Sequence, residues 1–310
     1  MDRGSSFAVP STPQESTGGD APQARPPRSG LTWTWIGVAP FFLFAVFFLF
    51  LPSLSIFIRS FQGSGGVFTL ENVTSLFVTR DIRNAYRLSL EISVVTAVGG
   101  ALFGFLLAYA VCLGGMPRWA RSFLVSFSGV ASNFAGVPLA FAFVATMGNA
   151  GLVTRLIETT LNVDIHAAGF SIYSFWGLSI VYMYFQFPLM VLIMAPALDG
   201  LHREWREACE NLGGSTYHYW RFIALPILLP TLLGTAILLF GNAFGAYATA
   251  YAFTGSFLNL VPIVIGAQIQ GDVLYNPGLG NAMALGMIAI MSICMLGYAW
   301  LQRRAARWVR

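Results

Sequence analysis

The amino-acid sequence predicts an all-α membrane protein with six transmembrane helices and both termini in the cytoplasm. Three observations carry that prediction. The 310 residues are 56% hydrophobic and only 10% charged, whereas soluble domains carry about 25% charged residues; the mean hydropathy is +0.68. The apolar residues come in continuous blocks of the ~20 residues a helix needs to cross a bilayer, not in the alternating ~10-residue segments of a β-barrel. Arginines collect in alternate connecting segments.

Residues 1–32 are rich in Pro, Ser, Gly and Gln, hold no apolar run and read as a disordered tail. They lack the early apolar region of a signal peptide. The first apolar block is about 33–58, WTWIGVAPFFLFAVFFLFLPSLSIFI, and the second about 88–113. The third, about 122–147, and the fourth, about 172–197, both contain proline. The fifth, about 225–253, opens LPILLPTLLGTAILLF, and the sixth covers about 281–301. Together they make a six-helix domain over 33–305, followed by a short tail, 306–310.

Twelve arginines lie in the two tails, the second loop and the fourth loop: Arg3, Arg25, Arg28, Arg118, Arg121, Arg203, Arg206, Arg221, Arg303, Arg304, Arg307 and Arg310. The other three loops hold five, Arg59, Arg80, Arg83, Arg87 and Arg155. Positive residues favour the cytoplasm, so both tails and the insert at 198–224 are expected inside. Two loops on the other side carry structure of their own. Residues 150–161 place Leu152, Leu156, Ile157 and Leu161 on one helical face, as a helix lying in the interface would. Residues 260–269, LVPIVIGAQI, are apolar but too short to span, which reads as a re-entrant or interfacial segment.

Several function classes lack their chemistry. All 17 basic residues are arginine, so the lysine of a phosphate-binding P-loop, of a kinase strand or of a Schiff base is missing. If ATP drives this chain, another subunit hydrolyses it. His166, His202 and His218 have no metal-ligand spacing, and Cys112, Cys209 and Cys294 are scattered and odd in number. No catalytic residue, metal site, cofactor or disulfide framework is expected. The net charge of +4 reads as topology and not as nucleic-acid binding.

The insert departs from this apolar background. On a helix starting near Glu204, Trp205, Ala208 and Leu212 recur at helical spacing while Glu204, Glu207, Glu210 and Asn211 mostly turn away. Gly213 and Gly214 stop that helix. Ser215 caps a second one, on which Tyr217, Trp220 and Ile223 or Ala224 form a face before Leu225-Pro226 enters the fifth span. Such a hairpin suits either a groove in a partner protein or the lipid headgroup layer.

Residues 207–226, EACENLGGSTYHYWRFIALP, resemble the EAA motif of permease subunits of binding-protein-dependent ABC importers: EAA, three residues, Gly, nine residues, I-x-LP. Glu207, Ala208, Gly213, Ile223, Leu225 and Pro226 match at the family's spacing, and Cys209 replaces the second Ala. The wider similarity covers about 33–305. It implies the type I ABC importer permease fold in a bacterial inner membrane, and a pore formed with a second permease, identical or paralogous. It implies an extracytoplasmic solute-binding protein that delivers cargo, and cytoplasmic ATPase subunits into which this hairpin docks as a coupling helix. Glu207 would then pair with a basic residue of the ATPase, and Gly213 would allow the turn. Within that family, the texture of SNFAGVPLAFAFVATMGNAGLV and LQRRAARW is similar to the branch that carries spermidine, putrescine and related small organic solutes.

Polar side chains inside spans are costly and often face a cavity or another helix. Asn133, Gln186 and Asn242 are the candidates for a translocation path, with interhelical hydrogen bonding as the alternative. Gly241 and Gly245 have the spacing of close helix packing, and Arg87 and Glu91 that of an i,i+4 ion pair. The rival to an importer subunit is a stand-alone secondary transporter or channel. Intramembrane acids, inverted repeats or a filter would mark one, and none is visible.

Overall fold

The computed structural model describes residues 31–63, 66–161, 171–255, 257–270 and 275–305. The expected tails, residues 1–30 and 306–310, lie outside these, as does His166. Residues 31 and 32, placed in the tail above, are already helical. By packing the chain divides into Met1–Pro52 and Ser53–Arg310. The described part of the first unit is α1 (Leu31–Ala45), a π-helical turn (Val46–Phe50) and the start of α2 (Leu51–Ser60). Its phenylalanines from Phe41 to Phe50 are exposed, Phe48 at 68%, as suits a helix solvated by lipid.

In the second unit, α2 is followed by α3 (Glu71–Val78) and α4 (Arg80–Leu113). The short α3 was not anticipated, and α4 starts eight residues before the expected span, because its first two turns are polar. Gly100 and Gly104 of α4 face α8 (Phe175–Asp199), where a Cβ on either would sit 2.6 Å from Gln186 Oε1 or Met190 Cβ. These glycines let the two most buried helices touch backbone to side chain, as small residues do inside bilayers. Gln186 lies in that seam, fully buried, with Nε2 donating to Thr96 Oγ1 at 3.1 Å.

The third block is two helices, not the single span expected: α5 (Arg118–Asn133) and α6 (Val137–Met147). Residues 137–160 alone also have the length and hydropathy of a span, but they include the interruption at 148–151 and the charged α7 (Leu152–Leu161). Together α5 and α6 cover 118–147, and with it the expected third block. Arg121 in the first turn of α5 pairs with Asp199 at the end of α8, and α6 packs at the far end of the bundle. Beyond α8 come α9 (Arg203–Asn211) and α10 (Thr216–Tyr219), then a second π turn (Trp220–Ala224).

The fifth block is broken as well, into α11 (Leu225–Phe244) and α12 (Tyr247–Thr254). The ten-residue α13 (Val261–Gln270) takes up the expected short apolar segment and is tucked into the bundle, with Val261 N–H donating to the buried Ser89 hydroxyl at 2.9 Å. The last span is α14 (Pro277–Ala305). Gly241 abuts Met291 of α14, while Gly245 instead ends α11. Both π turns directly precede a Leu-Pro pair, Leu51-Pro52 and Leu225-Pro226. A proline cannot donate to the carbonyl four residues back and crowds it, and a π-type turn is one way a helix absorbs that defect.

Candidate functional site

The hairpin of α9 and α10 leaves the bundle between α8 and α11. Its turn is built by a Schellman motif: Gly214 N–H donates to Cys209 O and Gly213 N–H to Glu210 O, both at 2.9 Å. Gly213 has φ +78°, a conformation that costs other L-residues about 1–2 kcal/mol. A Cβ on Gly214 would lie 2.5 Å from Cys209 Sγ, so the larger side chain at position 209 is accommodated by a neighbour that has none. Ser215 then caps α10 through a reciprocal box with His218.

The outer part of this hairpin is open. Leu212 at its tip is 89% exposed, Tyr217 65% and Trp205 36%. Glu207 is paired with Arg203 at 2.9 Å, and Arg206 with Glu210 at 3.0 Å. Exposed i,i+4 pairs are worth about 0.3–0.5 kcal/mol, so Glu207 exchanges this partner at little cost. Ala208 is exposed and Cys209 half-buried. Trp220, placed above on one face with Tyr217 and Ile223 or Ala224, turns inward, its ring edge-to-face with Tyr109 of α4 at 5.3 Å. Tyr219 and Ala224 are buried beside it. Ile223 is half-buried, and Leu225 and Pro226 are exposed at the head of α11. The root of the hairpin thus touches α4 through Trp220 and runs on into α11 without leaving the helix. The Arg121–Asp199 pair ties α5 to the base of the hairpin, where both carboxylate oxygens accept from one guanidinium nitrogen.

A second constellation lies where α5 gives way to α6 and α11 to α12. Gly136, at φ +76°, donates its N–H to Thr249 Oγ1 on α12 at 2.7 Å. The carbonyl of Ala246 in the other break accepts from the buried Tyr182 hydroxyl at 3.1 Å. Backbone freed by a broken helix must find such partners in a bilayer. Asn133 ends α5 and Asn242 lies in the last turn of α11, both exposed, and Tyr247 and Tyr251 of α12 stack on each other. Gln186 is elsewhere, sealed between α4 and α8, and its Oε1 has no hydrogen-bond partner among the described residues.

Thr249, Tyr182, Tyr109 and the Arg121–Asp199 pair went unnoticed in the sequence. One signal was available: Asn133-Phe-Ala-Gly136 and Asn242-Ala-Phe-Gly245 share an N-x-x-G pattern at the two breaks. Among the described residues, no group of three His, Cys, Asp or Glu side chains converges as a metal would require.

Residues 100–310 match the family described as binding-protein-dependent transport system inner membrane component. The chain belongs to that family. As an inner membrane component it is a multi-pass transport subunit and not an enzyme. Among its relatives is the spermidine/putrescine permease PotB of Haemophilus influenzae, 24% identical over 281 residues that cover 85% of this chain and 92% of that protein. A putative ferric permease of the same organism is also 24% identical, over 85% of this chain, which spans only 40% of that longer protein. A probable sulfate permease of Nephroselmis olivacea is 22% identical over 88% of this inner membrane component and 90% of its own length. The fold is that of a bacterial ABC transporter chain for alginate import, with TM-score 0.72 at 13% identity, covering 88% of this chain and 95% of that one.

Proposed function

We propose that this chain is the permease of an ABC importer for a small solute, driven by a separate ATPase that grips the hairpin at 203–226. The observation that carries the proposal is the hairpin itself: an exposed tip on a Schellman turn, bearing the motif residues Glu207, Ala208, Cys209 and Gly213, joined at its root to α4 and α11. The absence of lysine from the whole chain supports an external engine. The arginine bias places the hairpin and both termini in the cytoplasm.

The path runs past the two helix breaks, with Asn133, Asn242, Tyr247 and Tyr251 on its surface; Gln186 serves helix packing. A second permease, identical or paralogous, completes the pore, and an extracytoplasmic binding protein delivers cargo. A solved alginate transporter of this fold is in complex with a periplasmic protein bound to an alginate pentasaccharide, which supports that arrangement. The relatives' names span polyamine, ferric iron and sulfate. The breaks bear no fixed charge that would select a cation, so a polyamine-related small organic solute rests on the likeness of the sequence alone, with cargo selected mainly by the binding protein.

The test is ATP-coupled uptake by the reconstituted complex with Glu207→Arg or Gly213→Pro. Both variants are expected to insert normally, lose ATPase binding and reduce uptake at least tenfold. Wild-type ATPase binding and uptake in both would overturn the docking role, and uptake by this chain alone would overturn the importer reading.

A further inference from the structure

At the end of the bundle remote from the hairpin, α4 opens with Arg80, Arg83 and Arg87, all exposed. At 100° per residue they fall within about 60° of one another on the helix. Among the described residues that end holds five arginines, with Arg59 and Arg155, so three of them share one narrow face. Further along the same face the exposed residues become Val94 and Val98, at 50% and 61%. The change from arginine to valine marks the level of the lipid headgroups.

Beside this face lies a groove of about 640 Å³ between α3, α4 and α14. Arg83, Arg87 and Glu91 stand at its rim, and Leu76, Leu90 and Ile293 are among its apolar lining. It begins where Tyr86 meets α14, its hydroxyl donating to Met283 O at 2.5 Å. It then descends α14 from Gly286 to Ile293, about 10 Å at the helical rise. A polar, positive mouth over an apolar slot of that depth matches the phosphate and upper acyl chain of a phospholipid. A folded protein partner would use the arginines and leave the slot unfilled.

We infer that this groove binds one anionic phospholipid, its phosphate between Arg83 and Arg87 and an acyl chain along Leu90 and Ile293. Glu91 restrains the site, since it already holds Arg87 at 2.7 Å. Arginine suits this role because its planar fork donates two hydrogen bonds to a phosphate.

The test is native mass spectrometry of the purified full chain titrated with palmitoyl-oleoyl phosphatidylglycerol or phosphatidylcholine. One phosphatidylglycerol is expected to bind at least tenfold more tightly than phosphatidylcholine, undiminished by millimolar inorganic phosphate. Arg83→Ala with Arg87→Ala is expected to erase the preference. Glu91→Gln, which releases Arg87, is expected to tighten phosphatidylglycerol about threefold or more, so the inference does not depend on a disruptive variant. Equal retention of both lipids, or no change in either variant, would overturn it. So would competition by free phosphate, or a double variant that loses binding-protein affinity while keeping its lipid.

Discussion

Gly213 is the residue on which the hairpin turns, because its φ of +78° is open to glycine and strained for any other residue here. Gly213→Ala is expected to weaken the turn by about 1 kcal/mol, read as faster amide exchange over 203–215 with the transmembrane spans unchanged. Cys209 is a milder matter. Its Sγ occupies space beside Gly214, and Cys209→Ala removes one atom without touching the two carbonyl-to-amide bonds of the motif. ATPase stimulation by that variant is expected to stay within twofold of wild type. The motif residues were legible in the sequence because their spacing is a linear property. Tyr109 and Tyr219 were not, since which aromatic turns inward depends on how α10 meets α4, and the pattern alone favours no side.

The broken helices set the next prediction. Thr249→Val keeps shape but strips the acceptor from Gly136 N–H, and an orphaned buried amide costs about 1–3 kcal/mol. A lower Tm in detergent is expected for Thr249→Val, and a smaller loss for Tyr182→Phe, which frees only one acceptor at Ala246. Unchanged melting in both would mean that the breaks are held by something else. Helix existence was plain from hydropathy, and most block limits fall within a few residues of the helices. The breaks were not plain. A glycine within an apolar run serves equally for packing, as Gly241 does against Met291, or for a break, as at Gly245. Only the helices around it decide. The same ambiguity made Gln186 a path candidate, when the glycines of α4 draw α8 close enough to bury it.

On the proposed function, the whole molecule is a passive gate with two working regions, a lever outside the bilayer and a pair of helix breaks within it. If the hairpin docks as proposed, its movement would pass through Trp220 and the helical run from the π turn into α11, and the breaks would be where the gate yields. Cysteines at positions 133 and 242 are expected to react with a water-soluble thiol reagent at rates that change at least fivefold when ATP is added to the assembled complex. Constant rates would mean that these residues face lipid or a static surface. Fold class and the six apolar spans were accessible from composition, because lipid imposes its length and polarity rules on every span. The site within the spans was less so, because uncharged residues carry little chemistry that a linear pattern can display.

The most direct measurement is to place a photoreactive amino acid at position 212, the most exposed large apolar residue of the hairpin at 89%, and irradiate membranes of the host cell. The account expects a covalent adduct with an ATP-hydrolysing protein, lost when Gly213→Pro is added. Adducts with lipid alone, or labelling of position 212 by an impermeant reagent outside intact cells, would contradict it.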